Sequence, residues 1–396
     1  MQKSKLTRAA FFFGAGISRA SGKPLVPEIS EAALNGDWHL HTDQSFQPGH
    51  NPNPLIEDTT TPMVQAFLRI VDNLTRDYIE ELSQAATPRM PHYEDWFSLA
   101  HQAARSELDN IPNLAVVEFL RRLRDATASL HSRFERGTGG NDGLPGLAET
   151  ACDFLHWIVH HKLAENNTRR CGLDVVTEAA RRVDQLDIFT LNHDVLIEDQ
   201  CRSEGIPIED GFADRRGEVR AFNGWSQEDS TGVHLVKLHG SLNWFLYDFP
   251  GWARQYAIPD GDAFHTRDQH GQMLKNVTTK AAFLSGTIVK EQLYGIGFFG
   301  DIFAAFRRRL AFHQHLVFCG YGFGDPGINS RIYQWTCDRL DGSNRIVVLT
   351  EQSPTEFFID KPYWLDGLYD HGRLILVSKW LQNCTVEDLF PFFDKW

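Results

Sequence analysis

The chain has 396 residues, 39 Lys plus Arg against 52 Asp plus Glu for a formal charge of −13, and 42% hydrophobic residues. That is enough apolar chain for roughly two or three domain-sized units with full cores, which excludes disordered, collagenous and disulfide-miniprotein classes. The acidic balance argues against a protein that coats nucleic acid by charge alone. The cysteines, Cys152, Cys171, Cys201, Cys319, Cys337 and Cys384, include no pair two to four residues apart. Zinc-ribbon, dithiol and c-type haem spacings are therefore missing, and scattered small buried hydrophobes in a reducing compartment are expected.

At the N-terminus Lys3, Lys5 and Arg8 precede Ala9-Ala10-Phe11-Phe12-Phe13, an imitation of a leader peptide. The apolar stretch runs at once into Gly14-Ala15-Gly16, so residues 9–13 are expected as a buried strand and the chain as cytoplasmic and unprocessed. No apolar run approaches the ~20 residues of a membrane helix. Residues 22–62, rich in Pro, Gly, Asn, His and Thr, predict a long loop beside the glycine turn.

From about Met63 to Val183 the spacing becomes helical. Val64, Phe67, Leu68 and Val71, then Val116, Val117, Phe119, Leu120 and Leu123, then Leu155, Trp157, Ile158 and Leu163 recur at that period. Pro88, Pro91, Pro112 and Gly137-Thr138-Gly139-Gly140 punctuate the block. Short, nearly continuous apolar runs then predict strands at 188–191, 233–238, 316–319, 346–349 and 374–377. Helices are expected near 302–312 and 328–340. The expected architecture is α/β: a Rossmann-like, mostly parallel sheet covered by helices on both faces, with a large all-helical insertion. Its division is 1–60 with 185–396 for the sheet and 61–184 for the insertion.

Four strand ends carry candidate chemistry. Gly14-Ala15-Gly16-Ile17-Ser18 can bring backbone close to a phosphate at a helix N-terminus, or be merely a tight turn, since Arg19 stands where a third fingerprint glycine would be. Thr190-Leu191-Asn192-His193-Asp194 aims an amide and a carboxylate at the crevice where α/β folds hold ligands, or caps the next helix. His239-Gly240 combines an imidazole that titrates near neutrality with a residue that leaves room for a ligand, though a lone histidine also suits a core. Gly320-Tyr321-Gly322-Phe323-Gly324-Asp325 is a second glycine-rich turn before a helix. His156, His160 and His161 lack neighbouring ligands at metal spacing, and Arg307-Arg308-Arg309 reads as a solvated helix face.

Together these four turns resemble the sirtuin superfamily, whose order is a GAG-x-S turn, a Thr-Gln-Asn-x-Asp strand end, a His-Gly turn and a later glycine-rich nucleotide turn. The likeness covers residues 1–60 and 185–396. The chain departs from sirtuin deacylases after Ser18, where Ser21-Gly22-Lys23-Pro24 lacks the expected acid and arginine, and after His239, where the next cysteine is Cys319 rather than a four-cysteine zinc module. Lys237-Leu238-His239-Gly240-Ser241-Leu242-Asn243-Trp244-Phe245, the 320–329 segment and Tyr93-Glu94-Asp95-Trp96-Phe97 are similar to the sirtuin-like NAD hydrolases of bacterial antiphage defence, in particular the stand-alone subunit paired with a HerA-type ATPase.

The resemblance implies NAD as substrate, cleaved at the ribose–nicotinamide bond to deplete it, with no zinc. It assigns catalysis to His239, Asn192 and Asp194, and NAD binding to Gly14, Ala15, Gly16, Ser18, Thr190, Gly320, Tyr321, Gly322 and Asp325. The expected partners are further copies of the chain and the HerA-type ATPase, with no direct nucleic acid and no membrane. Transfer of ADP-ribose or an acyl group, or a silent nucleotide-binding sensor, are the alternatives.

Overall fold

The computed structural model describes all residues except 1–6, 53–56, 83–88, 106–115, 136–141, 166–171, 226–229, 252, 340–341 and 396. Lys3, Lys5, Cys171, Pro88, Pro112 and the Gly137–Gly140 run lie outside the described residues. The described chain forms two compact units. One comprises Met1–Lys23, Asn166–Leu284 and Lys290–Trp396, and the other Pro24–Glu165 with Ser285–Val289.

The first unit is built on a sheet of seven parallel strands. They are β1 (Thr7–Phe13), β2 (Gln185–Thr190), β3 (Ile208–Glu209), β4 (Gly232–Lys237), β5 (His315–Cys319), β6 (Arg345–Leu349) and β7 (Leu374–Val377). Their spatial order is β7-β6-β5-β1-β2-β4-β3, and a short strand, β8 (Asp394–Lys395), pairs antiparallel with β1. Both faces are buried, which is why the strands read as continuous apolar runs rather than alternating ones. Phe11 and Phe13 join Ile188, Leu235, Val317 and Val347 on one face. Phe12 joins Phe189, Val236, Phe318 and Ile346 on the other. The expected Rossmann-like α/β class is what the chain adopts.

Register places the functional candidates. Phe13 is opposite both Thr190 and Cys319, and Thr190 is opposite Lys237. Four strands therefore end in one row, and the residues that follow, Gly14, Leu191, Leu238 and Gly320, leave the sheet at one edge. The chain proceeds from β1 to one side and later returns to the other through β5. The gap between the β1 and β5 turns is thus a topological switch point, where open α/β sheets hold ligands.

Beyond β4 lies an element the sequence reading did not anticipate. Lys275–Asn276, Phe245–Phe249, Ala253–Pro259 and Val219–Ala221 pair, in that order, as an antiparallel sheet. Its strands are short and come from separate stretches, so no single run carries its period. Trp244 and Tyr247 are buried within this region.

The second unit is helical, with its long helix Gly143–Ala164 packed by Thr60–Leu82, Tyr93–Ala104 and Val26–Asn35. Residues 22–62 are not one long loop. Pro27 in the first turn and Glu28, whose carboxylate accepts the Leu25 N–H at 2.8 Å, start a helix at Val26, and a hairpin of Trp38–Leu40 with Phe46–Pro48 follows. Trp38 and Phe46 pack on Phe154 of the long helix, with ring centroids 6.2 and 4.9 Å away, and this apolar contact outweighs the loop-like composition. Conversely, helix Asp174–Arg182, read as part of the insertion, buries Val175, Val176 and Ala179 against the parallel sheet. The compact units meet at 23/24 and 165/166, with Ser285–Val289 joining the helical one, whereas the boundaries expected from sequence are 60/61 and 184/185.

Within the second unit, Tyr93-Glu94-Asp95-Trp96-Phe97 begins a helix. The Asp95 carboxylate caps it by accepting the His92 N–H and is bound by both terminal nitrogens of Arg89, while Trp96 donates to Asp72. Trp157, His160 and His161 form an aromatic cluster, and burial presses the His160 ring down to about 4.

Candidate functional site

The two glycine turns are packed backbone on backbone. Gly14 N–H donates to the Cys319 carbonyl and Gly16 N–H to that of Gly320. A Cβ on Gly14 would lie 2.5 Å from the Gly320 oxygen, and one on Gly320, at φ +68°, would lie 2.5 Å from the Ile17 nitrogen. These glycines are thus required by the β1 and β5 turns' approach to each other. The helix after the first turn, Gly16–Arg19, has only four residues. The macrodipole expected there is correspondingly small, since it sums over aligned peptides. Ala15 is exposed at the turn, and nothing lies within 4 Å of a Cβ placed on Gly322.

From β1 and β2 comes a buried polar relay. The Ser18 hydroxyl donates to Asp194 Oδ2 at 2.7 Å, so its oxygen is left to accept, and Asn192 Nδ2 donates to it at 3.0 Å. That orientation leaves Asn192 Oδ1 buried with no hydrogen-bond partner. A buried unpaired acceptor costs free energy on the order of 1–3 kcal/mol. Thr190 Oγ1 accepts the Asn192 N–H at 3.1 Å and donates to the Phe13 carbonyl, which staples the turn.

Asp194 is held on three sides. Its Oδ1 accepts from the Leu196 N–H at 3.1 Å, at the start of helix Leu196–Ser203, while Lys237 Nζ binds its carbonyl and also Glu198 at 2.8 Å. The capping reading of the strand end applies to Asp194, while Asn192 is buried against Ser18. Lys237 and Glu198 were not among the sequence candidates. A lysine at the end of an apolar strand is their only advance signal.

From β4 and β5 comes a second cluster. His239 Nε2 lies 2.6 Å from the Tyr294 hydroxyl and 3.1 Å from Asp325 Oδ2, and the same hydroxyl donates to Asp325 Oδ2 at 2.7 Å. Asp325 also accepts the Ile328 N–H, which caps helix Pro326–Cys337. Burial by itself would raise the Asp325 carboxyl, but its contacts with His239, the Ile328 N–H and Tyr294 prevail and hold it well below the usual carboxylate range. It is an anion beside His239. Burial, reinforced by His239, Lys290 and Lys237, presses the neighbouring His193 far down, so that ring stays neutral, 6.2 Å from His239.

Gly240, at φ +82°, lets the turn pass close to Ala282, whose carbonyl would lie 2.2 Å from an added Cβ. Its missing side chain accommodates the protein's own backbone. Tyr321, expected toward a ligand, instead packs on Phe12 and Phe323 and donates to Asn329 Oδ1 at 2.9 Å. Phe323 occupies the left-handed region at φ 58°, held by the Asn329 amide on its carbonyl. Strain of this kind in a bulky residue persists only where surroundings over-determine it and concentrates at functional turns.

The structure thus brings Ser18, Asn192 and Asp194 into one relay and His239 and Asp325 into another, both at the row of strand ends. Tyr294 has no signal in the sequence, because nothing near it is periodic or glycine-rich in a way that points to a site. Among the described residues no group of His, Cys, Asp and Glu is arranged to hold a metal ion, and no helix is long and apolar enough to cross a membrane.

Residues 187–361 match the family model of the SIR2-like domain, a little under half of the chain. That segment is sirtuin-like, and it contains Asn192, Asp194, His239, Tyr294 and Asp325, while Gly14–Ser18 lies before it. No curated protein matches the chain.

Proposed function

We propose that the protein hydrolyses NAD at the ribose–nicotinamide bond, releasing nicotinamide and ADP-ribose. The observation that carries this reading is the buried, unpartnered Asn192 Oδ1 after β2, on the same edge of a sirtuin-like segment as the His239–Asp325 pair. Pyridinium is a good leaving group, so the site's task is to stabilise a ribose cation and to bring water to its anomeric carbon.

Asn192 accepts a hydrogen bond from that water, its amide fixed by Ser18 and, through Ser18, by Asp194. Water adds to the anomeric carbon, the C–N bond breaks and its electron pair leaves with nicotinamide. The proton released from the water, or from a ribose hydroxyl, passes to His239. Asp325, ionised and adjacent, stabilises the resulting imidazolium. The assignment of the diphosphate and adenosine to Gly14–Ser18 and Gly320–Gly322 rests on the resemblance of these two turns.

The biological reading, again ours, is depletion of NAD as an effector of antiphage defence, by further copies of the chain acting with a HerA-type ATPase. Support for it is the resemblance of the Lys237–Phe245 and 320–329 segments. Chromatography of NAD products tests the chemistry: equal amounts of nicotinamide and ADP-ribose are expected, with and without the co-expressed ATPase. Intact NAD in both arms overturns it, and label from NAD bound to protein redirects the reaction to transfer.

A further inference from the structure

The geometry points to Tyr294 as a resident competitor of the substrate: its hydroxyl holds, in the free protein, the seat that a ribose hydroxyl takes between His239 and Asp325. This deepens the NAD reading and rests on it. The Tyr294 hydroxyl gives its proton to Asp325 Oδ2 at 2.7 Å, so toward His239 it can only accept, and Nε2 stands 2.6 Å away. One hydroxyl thereby engages both groups that a sugar hydroxyl would need, a base nitrogen and a carboxylate oxygen. While it does so, His239 Nε2 cannot take up a substrate proton.

The seat is built rather than incidental. The tyrosine ring stacks on Phe303 with centroids 4.7 Å apart and planes within 9°. On its other flank Gly327 leaves the space the ring fills, since a Cβ there would lie 2.8 Å from Tyr294 Cε2. The residue directly follows helix Thr287–Leu293 and precedes Gly295 and Gly297, the latter at φ +55°. The two glycines give this segment the backbone freedom that displacement of the tyrosine requires. A ligand without a hydroxyl for this seat gains nothing by displacing the tyrosine, so the plug also selects for hydroxylated sugars.

Two variants of the full chain test the inference. Tyr294→Phe keeps the ring and removes the hydroxyl; Gly327→Ala leaves the hydroxyl and crowds the ring from its slot. The first is expected to tighten ADP-ribose binding, measured by calorimetry, and to lower KM for NAD, each by about tenfold, the worth of one hydrogen bond to a charged group, with kcat little changed. The second should move both in the same direction by a smaller factor. Unchanged affinity in both variants, or a fall in kcat for Tyr294→Phe, overturns the inference. Tighter ADP-ribose binding without any NAD cleavage keeps the seat and overturns the hydrolase. Cleavage with equal affinities does the reverse, and no ADP-ribose binding by any form overturns both.

Discussion

The two ends of the parallel sheet use the same residue types to opposite ends. At the carboxyl ends of the strands, Asn192 has an acceptor with no partner and His239 meets the hydroxyl of Tyr294. At the amino ends, Asp187 of β2 is wholly buried and surrounded: Arg309 at 3.0 Å, His313 at 2.6 Å, His234 at 3.1 Å and Gln185 at 2.7 Å. Asp394 of β8 binds His315 and the Gln314 N–H beside them. Arg309, expected on a solvated face, is therefore an interior ion, because its helix turns it toward the wholly buried carboxylate of Asp187. Ion pairing makes the clamp, although Arg309 Nε and Nη2 lack hydrogen-bond partners just as Asn192 Oδ1 does.

The contrast breaks first on two substitutions with opposite signatures. His239→Ala should lower NAD turnover by about a thousandfold, within the range for a lost acid–base group, while thermal unfolding stays close to wild type. Arg309→Met should cost about 3–5 kcal/mol in denaturant unfolding, since Asp187 loses a partner it cannot replace, yet leave turnover per folded molecule unchanged. If Arg309→Met abolished turnover in folded protein, the two ends would not be separable.

Asn192→Ala comes next, with an expected loss of about a hundredfold in kcat, since the water loses its orienting acceptor. Acidity acts on the other end. The Asp394 carboxyl, which burial would raise, is held at about 2 by His313, His315 and the Gln314 N–H. A carboxyl depressed in the folded state contributes stability above its unfolded value of 3.8 and loses it as pH falls toward 2. Burial lowers His313, but its bond to Asp187 and the nearby carboxylate of Asp394 prevail and raise it, so its contribution is full below 6.5 and lost as pH rises past the raised value. Melting temperature should therefore fall steeply below about pH 4 and more gently on the alkaline side. Smallest is Ser18→Ala: about tenfold in kcat/KM with about 1 kcal/mol of stability, because Asp194 keeps Leu196 and Lys237 while the Asn192 amide loses its guide.

Much of the sheet was legible. The runs at 316–319, 346–349 and 374–377 are strands within a residue of where their apolar content places them, because a strand buried on both faces needs no partner to declare itself. The antiparallel sheet was not legible, nor was the helix and hairpin in 22–62, because short half-exposed elements owe their structure to what they pack on. At the site, the turns could be read as turns, but the role of their glycines could not. Gly14, Gly16, Gly240 and Gly320 look like room for a ligand in one dimension and prove to be room for other backbone.

By itself the sequence determined which strand ends carry Ser18, Asn192, Asp194, His239 and Asp325, and the sirtuin-like character of the segment that holds most of them. These are local properties, an apolar run followed by glycine or a polar pair. Only the tertiary structure decided that Asp325 faces a histidine 86 residues away, that Tyr294 stands between them, and that Arg309 is paired inside the fold. Such pairings depend on strand register and helix rotation, where a shift of one residue turns a side chain to the opposite face.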